Sequence, residues 1–194
     1  MLDLDLMLKR NELCVVGMDP VRDVTSQAGL YVRDTRFLSA FSVRLSETEL
    51  QLLDIQTPAP DRAIITRTNP RLGAPEGGTE PETILLRSDV TVDAALTVTF
   101  HVRNFGRRPI AERLEIALAA DFRDMFDVRG MTPKQRAVPL PAEPRGDGSV
   151  RLAARGSDGQ VVYTGVGTTP SAGIEPMSVA DASGATLSWP VELA

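Results

Sequence analysis

One cysteine, Cys14, stands in the whole 194-residue chain, so no intrachain disulfide can form. That usage fits a reducing compartment. One histidine, His101, confines imidazole chemistry to a single position. Aromatic residues are sparse, with one Trp, two Tyr and six Phe. A broad surface of stacked rings therefore has few residues to draw on. No window approaches 18 uninterrupted apolar residues, which argues against a transmembrane helix. The start, Met1-Leu2-Asp3-Leu4-Asp5-Leu6, has two acids and no basic residue ahead of an apolar core, so it does not read as a secretory signal. Positive charge is also short. Lys and Arg number 21 against 26 Asp and Glu, giving a net charge of -5. The longest basic cluster is Arg107-Arg108, too little to meet a phosphate backbone. Neither nucleic acid nor membrane is an expected partner, and the expected location is cytoplasmic.

What the chain does contain is β-branched residues and turn formers. Val, Ile and Thr together number 41, Gly 15 and Pro 14. That mixture suggests an all-β domain. Strict alternation is clearest over 96–103. There Leu96, Val98, Phe100 and Val102 share one face, and Thr97, Thr99, His101 and Arg103 share the other. A second alternating run, 112–120, follows a short connection, and the two together read as an antiparallel hairpin. The alanines of 112–120 also permit a helix, but the alternation argues for a strand. Phe37, Ser39, Phe41, Val43 and Leu45 read as one face of a single strand. Leu13-Cys14-Val15-Val16 reads as buried strand, with Cys14 a small buried hydrophobe rather than a thiol paired with a base. Shorter strands are expected at 50–55, 62–68, 83–88, 149–154, 160–166, 173–179 and 185–191. About ten strands or more with frequent turns predict a single antiparallel two-sheet β-sandwich over residues 1–194. Two turn-rich segments, 69–81 and 130–148, interrupt the pattern, and loops of that length are either functional or mobile.

Two constellations carry charge in a pattern. In the first, Arg33, Asp34 and Arg36 stand within four residues, ahead of a strand. A carboxylate between two guanidiniums stays ionised and suits a base or a ligand for sugar hydroxyls. An Arg–Asp network that pins the start of the strand by bidentate hydrogen bonds is the favoured reading of the two. In the second, Asp121, Asp124 and Asp127 fall at a spacing of three, with Arg129 close behind. On a helical turn these acids would share a face. They do not follow the alternate-position pattern of a calcium loop, so no metal is expected. Phe122, Met125, Phe126 and Val128 of this segment are expected core anchors. No local feature marks out a general-acid and base pair among the 26 acids. No G-x-S-x-G elbow precedes a serine, and 73–78 lacks both phosphate-loop and dinucleotide patterns. No catalytic residue and no cofactor are expected.

The two constellations together resemble a known family. Gly29-Leu30-Tyr31-Val32-Arg33-Asp34-Thr35-Arg36-Phe37-Leu38-Ser39 resembles the GL-aromatic-x-RDTR-aromatic-LS segment of the N-terminal domain of bacterial glycogen debranching enzyme-like (amylo-alpha-1,6-glucosidase-like) proteins. Asp121-Phe122-Arg123-Asp124-Met125-Phe126-Asp127-Val128-Arg129-Gly130 resembles their DF-x-D-x-F-E-V-R-G segment, with Asp127 in place of the usual Glu. A weaker match, Arg155-Gly156-Ser157-Asp158-Gly159, lacks the family's tyrosine before the Gly and its arginine after the Asp-Gly.

The resemblance implies an antiparallel β-sandwich that precedes a helical catalytic domain in the longer proteins, and a glycan-processing context without catalysis by this chain alone. The C-terminal catalytic domain of the same polypeptide is then the expected partner, with α-glucan a further one. Arg33, Asp34, Arg36, Asp121, Asp124 and Arg129 match the motifs and are the candidate glycan or interdomain contacts. Two other functions are compatible with the chain. One is a free-standing carbohydrate-binding module, with Tyr31, Tyr163 and Trp189 as platform candidates. The other is a structural or oligomerisation domain.

Overall fold

The computed structural model describes residues 6–17, 27–74, 76–131 and 135–194. The reading of residues 1–5, and of Pro75 and Pro133 in the turn-rich segments, falls outside them. Sixteen strands and one helical turn make up the described chain. The strands are β1 (Met7–Arg10), β2 (Leu13–Val16), β3 (Gly29–Val32), β4 (Thr35–Leu38), β5 (Ala40–Leu45), β6 (Thr48–Glu49), β7 (Gln51–Ala59) and β8 (Arg62–Thr68). They continue with β9 (Ile84–Val92), β10 (Leu96–Asn104) and β11 (Ile110–Ala120). After the turn α1 (Met125–Val128) come β12 (Val138–Pro144), β13 (Val150–Arg155), β14 (Val161–Val166), β15 (Gly173–Val179) and β16 (Ala182–Leu193).

The all-β class is as expected, but the two-sheet sandwich is not what forms. The strands make four sheets, ordered β1-β2-β3-β4, β10-β9-β8-β7, β15-β16-β11-β5-β6 and β12-β13-β14. Two local features explain the difference. The run expected as one strand from Phe37 to Leu45 breaks at Ser39, whose N–H donates to the Ala119 carbonyl at 2.7 Å. β4 and β5 therefore enter different sheets. The burial phase also shifts at this break. Arg36 and Leu38 are buried in β4, then Val43 and Leu45 in β5.

The expected hairpin of 96–103 with 112–120 is likewise corrected. β10 pairs antiparallel with β9, from Leu96 opposite Val92 to Asn104 opposite Ile84. A tight turn over 93–95 suffices, closed by the Asp93 N–H on the Ala95 carbonyl. Beyond β10 the chain is bent by Asn104, which accepts from the Gly106 N–H at 2.8 Å and donates to the Arg108 carbonyl at 2.9 Å. β11 then joins a different sheet.

The chain forms two compact units. The unit of residues 8–11, 43–115 and 189–194 contains the β10-β9-β8-β7 sheet. Its inner face follows directly from alternation. Ala63, Ile65 and Arg67 of β8 stand opposite Val90, Ser88 and Leu86 of β9, all buried. Each large aliphatic side chain removed from water there contributes roughly 1.5–3 kcal/mol. His101 lies on the polar face of β10, as alternation predicts, with Nε2 3.2 Å from Asp89 Oδ2.

In the same unit the turn-rich segment 69–81 is organised by a buried asparagine. Asn69 donates to the Pro70 and Glu80 carbonyls at 2.8 and 2.7 Å. Its Oδ1 accepts from the Thr83 and Ile84 N–H groups at 3.1 and 2.7 Å.

The unit of residues 1–7, 12–42 and 116–188 holds the β2–β3–β4 hairpins and the β12–β13–β14 sheet. β12 lies inside the segment read as a loop over 130–148. Pro139, Pro141 and Pro144 hid it, since proline cannot donate in a ladder. At the edge of a sheet that loss is tolerated, and the register shifts once between Leu140 and Glu143. Cys14 is half-buried in β2 beside the buried Val15.

Candidate functional site

Both motifs lie in the second of these units and bind each other. The β3–β4 hairpin turns at Arg33, which takes a left-handed φ of 54°. This turn sends the Arg36 side chain inward. The Arg36 backbone N–H donates to the Arg123 carbonyl at 2.8 Å, and the Met125 N–H donates to the Asp34 carbonyl at 2.8 Å. An antiparallel bridge between Thr35 and Asp124 lies between these bonds. Two segments about ninety residues apart are thus joined along their backbones.

Their side chains complete the junction. Arg36 grips Asp121 with Nε on Oδ1 at 3.1 Å and Nη2 on Oδ2 at 2.5 Å. The side chains are 0% and 1% exposed. Arg36 Nη1 donates further to the Ala28 carbonyl at 3.2 Å. Gly29 is required by this arrangement. It has a φ of 147°, and a Cβ there would fall 2.3 Å from the Leu38 carbonyl oxygen and 2.8 Å from Arg36 Cδ. The glycine that opens the first motif makes room for the arginine that closes the RDTR run. Phe122 takes the left-handed region at a φ of 53° and stays buried. It meets Phe37 edge to face with ring centroids 5.7 Å apart.

From this pair the charges alternate outward. Arg123 Nε lies 3.6 Å from Asp121 Oδ2 and 3.9 Å from Asp127 Oδ2, and Nη2 lies 3.5 Å from Asp181. Arg136 holds Asp127 by a two-point bond, Nε to Oδ2 at 2.9 Å and Nη2 to Oδ1 at 2.7 Å. Asp124 caps α1 by accepting from the Asp127 N–H at 2.8 Å. The outer members line an open cleft of about 110 Å³.

The six candidates divide accordingly. Arg36 and Asp121 meet. Asp124 is exposed at the head of α1, and Arg129 is exposed at its end, where its N–H donates to the Met125 carbonyl at 3.1 Å. Arg33 turns outward to Glu12 at 3.0 Å. Asp34 is therefore not the carboxylate clamped between Arg33 and Arg36, because each arginine has another acid. The three acids spaced by three do not share a helical face. Only Asp127 lies within α1, while Asp124 caps it and Asp121 precedes it.

Phe126 departs from its expected place in the core and is 57% exposed. A single helical turn buries one side only, and here the Asp127 side occupies it. Sequence reasoning did not find Arg123, Arg136 or Asp181 as members of the network. Arg136 sits in the proline-rich stretch and Asp181 in a remote turn, with no local signal linking either to the motifs.

Asp121 and Asp127 each have both oxygens held by a two-point bond from one arginine, with Arg123 between them, so neither is presented to a reacting atom. Burial lifts the Tyr31 phenol above its ordinary value of 10.0, against the opposing pull of the nearby Arg36. Tyr31 donates to the Gln27 carbonyl at 2.8 Å and is buried. Among the described residues no group of three or more His, Cys, Asp or Glu side chains is placed to hold a metal ion. No helix among them is long and apolar enough to cross a membrane.

The fold and this junction define an all-β domain organised around two motifs that lock onto each other. The chain belongs to the family described as the N-terminal domain of (some) glycogen debranching enzymes, whose model matches residues 10–194. No curated protein matches the chain significantly.

Proposed function

We infer that this chain is a non-catalytic N-terminal domain of a debranching-type glycoside hydrolase acting on α-glucans. It supports a C-terminal catalytic domain of the same polypeptide and contributes to the wall of the substrate cleft. The observation that carries this reading is the Arg36–Asp121 junction. The most distinctive acid of the second motif is sealed at 1% exposure with both oxygens on one arginine. A glycosidase acid must reach the glycosidic oxygen, and its partner must reach the anomeric carbon or a water. Asp121 does neither, so the motifs serve the fold. Two exposed residues of the second motif, Asp124 and Arg129, remain for contact with the catalytic domain or with glucan. The single cysteine fits a reducing compartment such as the cytoplasm.

The test is hydrolysis. The 194-residue chain, incubated with glycogen and with branched dextrins, is expected to release no reducing sugar above a heat-denatured control. Release that scales with protein concentration, and survives repurification, would overturn the non-catalytic reading.

A further inference from the structure

The β12–β13–β14 sheet buries one face and carries exposed aromatic, aliphatic and charged side chains on the other. Val150, Leu152 and Ala154 of β13 point inward and are fully buried. On the outer face the register places Tyr163 beside Ala153, which in turn lies beside Leu140. In the neighbouring rows Arg155 stands between Val138 and Val161, and Arg151 between the exposed Glu143 and Gly165. The floor of this face is low. Ala153 is only 5% exposed, and a Cβ added at Gly165 would meet nothing within 4 Å. Tyr163 rises from it 56% exposed.

The ring is held in place. Arg151 Cζ lies 4.4 Å from the Tyr163 ring centroid, a cation–π contact that fixes the orientation of the phenol. Arg151 Nε is buried without a hydrogen-bond partner among the described residues. Neither Arg151 nor Arg155 forms an ion pair with another described residue. A fixed aromatic ring beside guanidinium groups lacking acceptors matches a pyranose. Its C–H face packs on an aromatic ring, and its hydroxyls accept from planar donors. The apolar surface is one ring and a few aliphatic groups, short of what a stable protein interface buries.

We propose that the outer face of the β12–β13–β14 sheet binds an α-glucan chain, with Tyr163 as the stacking platform and Arg151 and Arg155 as hydroxyl donors. The choice of glucan rests on the function inferred above. Of the three aromatic platform candidates in the sequence, Tyr31 is buried and Trp189 half-buried, which leaves Tyr163.

The experiment is native electrophoresis of the 194-residue chain through gels containing glycogen, with maltoheptaose titration by calorimetry. Wild type is expected to be retarded. Tyr163→Ala should weaken binding about tenfold, and Tyr163→Phe, which keeps the ring, should bind nearly as wild type. Arg155→Ala should weaken binding several-fold, and unchanged thermal melting of each variant shows that the fold is intact. Equal retardation of wild type and Tyr163→Ala overturns the site. So does no binding of millimolar maltoheptaose. Light scattering that shows a dimer lost in Tyr163→Ala also overturns it, by assigning the face to a second copy. None of these outcomes touches the hydrolysis result, so failure here is distinct from failure of the non-catalytic reading.

Discussion

Arg36 shows how one residue connects motif to fold. Its charge is removed from water completely and is met by the two-point bond to Asp121 and by the Ala28 carbonyl. Such a pair gives modest net stability against a well-packed apolar pair, but breaking one side leaves a buried charge alone. Arg36→Met is therefore expected to cost about 3–5 kcal/mol in urea unfolding, and Arg36→Met with Asp121→Leu together to cost less than the single change. A single-variant cost below about 1 kcal/mol would show that water reaches the site.

Tyr31 adds a pH dependence at the same scale. Burial raises its phenol above 10.0, so the folded state holds the neutral form. Its contribution is complete below the unfolded value and drains away as pH rises through the raised one. Stability of the wild type should thus fall more steeply above pH 10 than that of Tyr31→Phe, followed by circular dichroism. Equal slopes would mean that Tyr31 ionises as freely in the folded chain as in the unfolded one.

At the scale of elements, alternation served well wherever a strand had one wet face. β8 and β15 appear with the expected limits, and β10 with the expected faces. It failed where polar contacts set the phase. In β4 the buried positions are Arg36 and Leu38, because Arg36 must reach Asp121, and Phe37 is displaced to the other face. The prolines of β12 concealed a strand that only its neighbour β13 makes visible. Segment 69–81 looked like a free loop, yet it is tied down by Asn69, which is fully buried and makes four hydrogen bonds. Asn69→Ala would leave the buried Ile84 N–H, the part-buried Thr83 N–H and two carbonyls without that partner. It is expected to cost about 3 kcal/mol or more, with faster amide exchange at Thr83 and Ile84. Exchange unchanged at both amides would show that the loop holds itself.

For the molecule as a whole, the family was legible from two motifs, and their joint purpose was not. Arg33, Asp34 and Arg36 stand together in sequence and suggest one charged cluster. In three dimensions their side chains part, and Asp34 joins the second motif only through its backbone carbonyl. The hydrolysis prediction belongs to this scale, since it asks whether a chain whose buried motif acids, Asp121 and Asp127, are held by arginines does chemistry. The number of sheets also belongs here. Sixteen short strands can pair in many ways, and the turn at 93–95 and the break at Ser39 select four sheets from among them.

Composition and alternation by themselves determined that the chain is all-β and which residues face inward along strands such as β8 and β10, and the two contiguous motifs determined which family it joins. Those are local properties, set by side-chain periodicity and by contiguous motifs. Only the tertiary structure decided which strands pair, that Arg36 belongs to Asp121 rather than to Asp34, and that Arg123, Arg136 and Asp181 complete the charge network. These pairings join residues up to about ninety positions apart. A guanidinium removed from water must have a carboxylate, but nothing in the neighbouring sequence says which one.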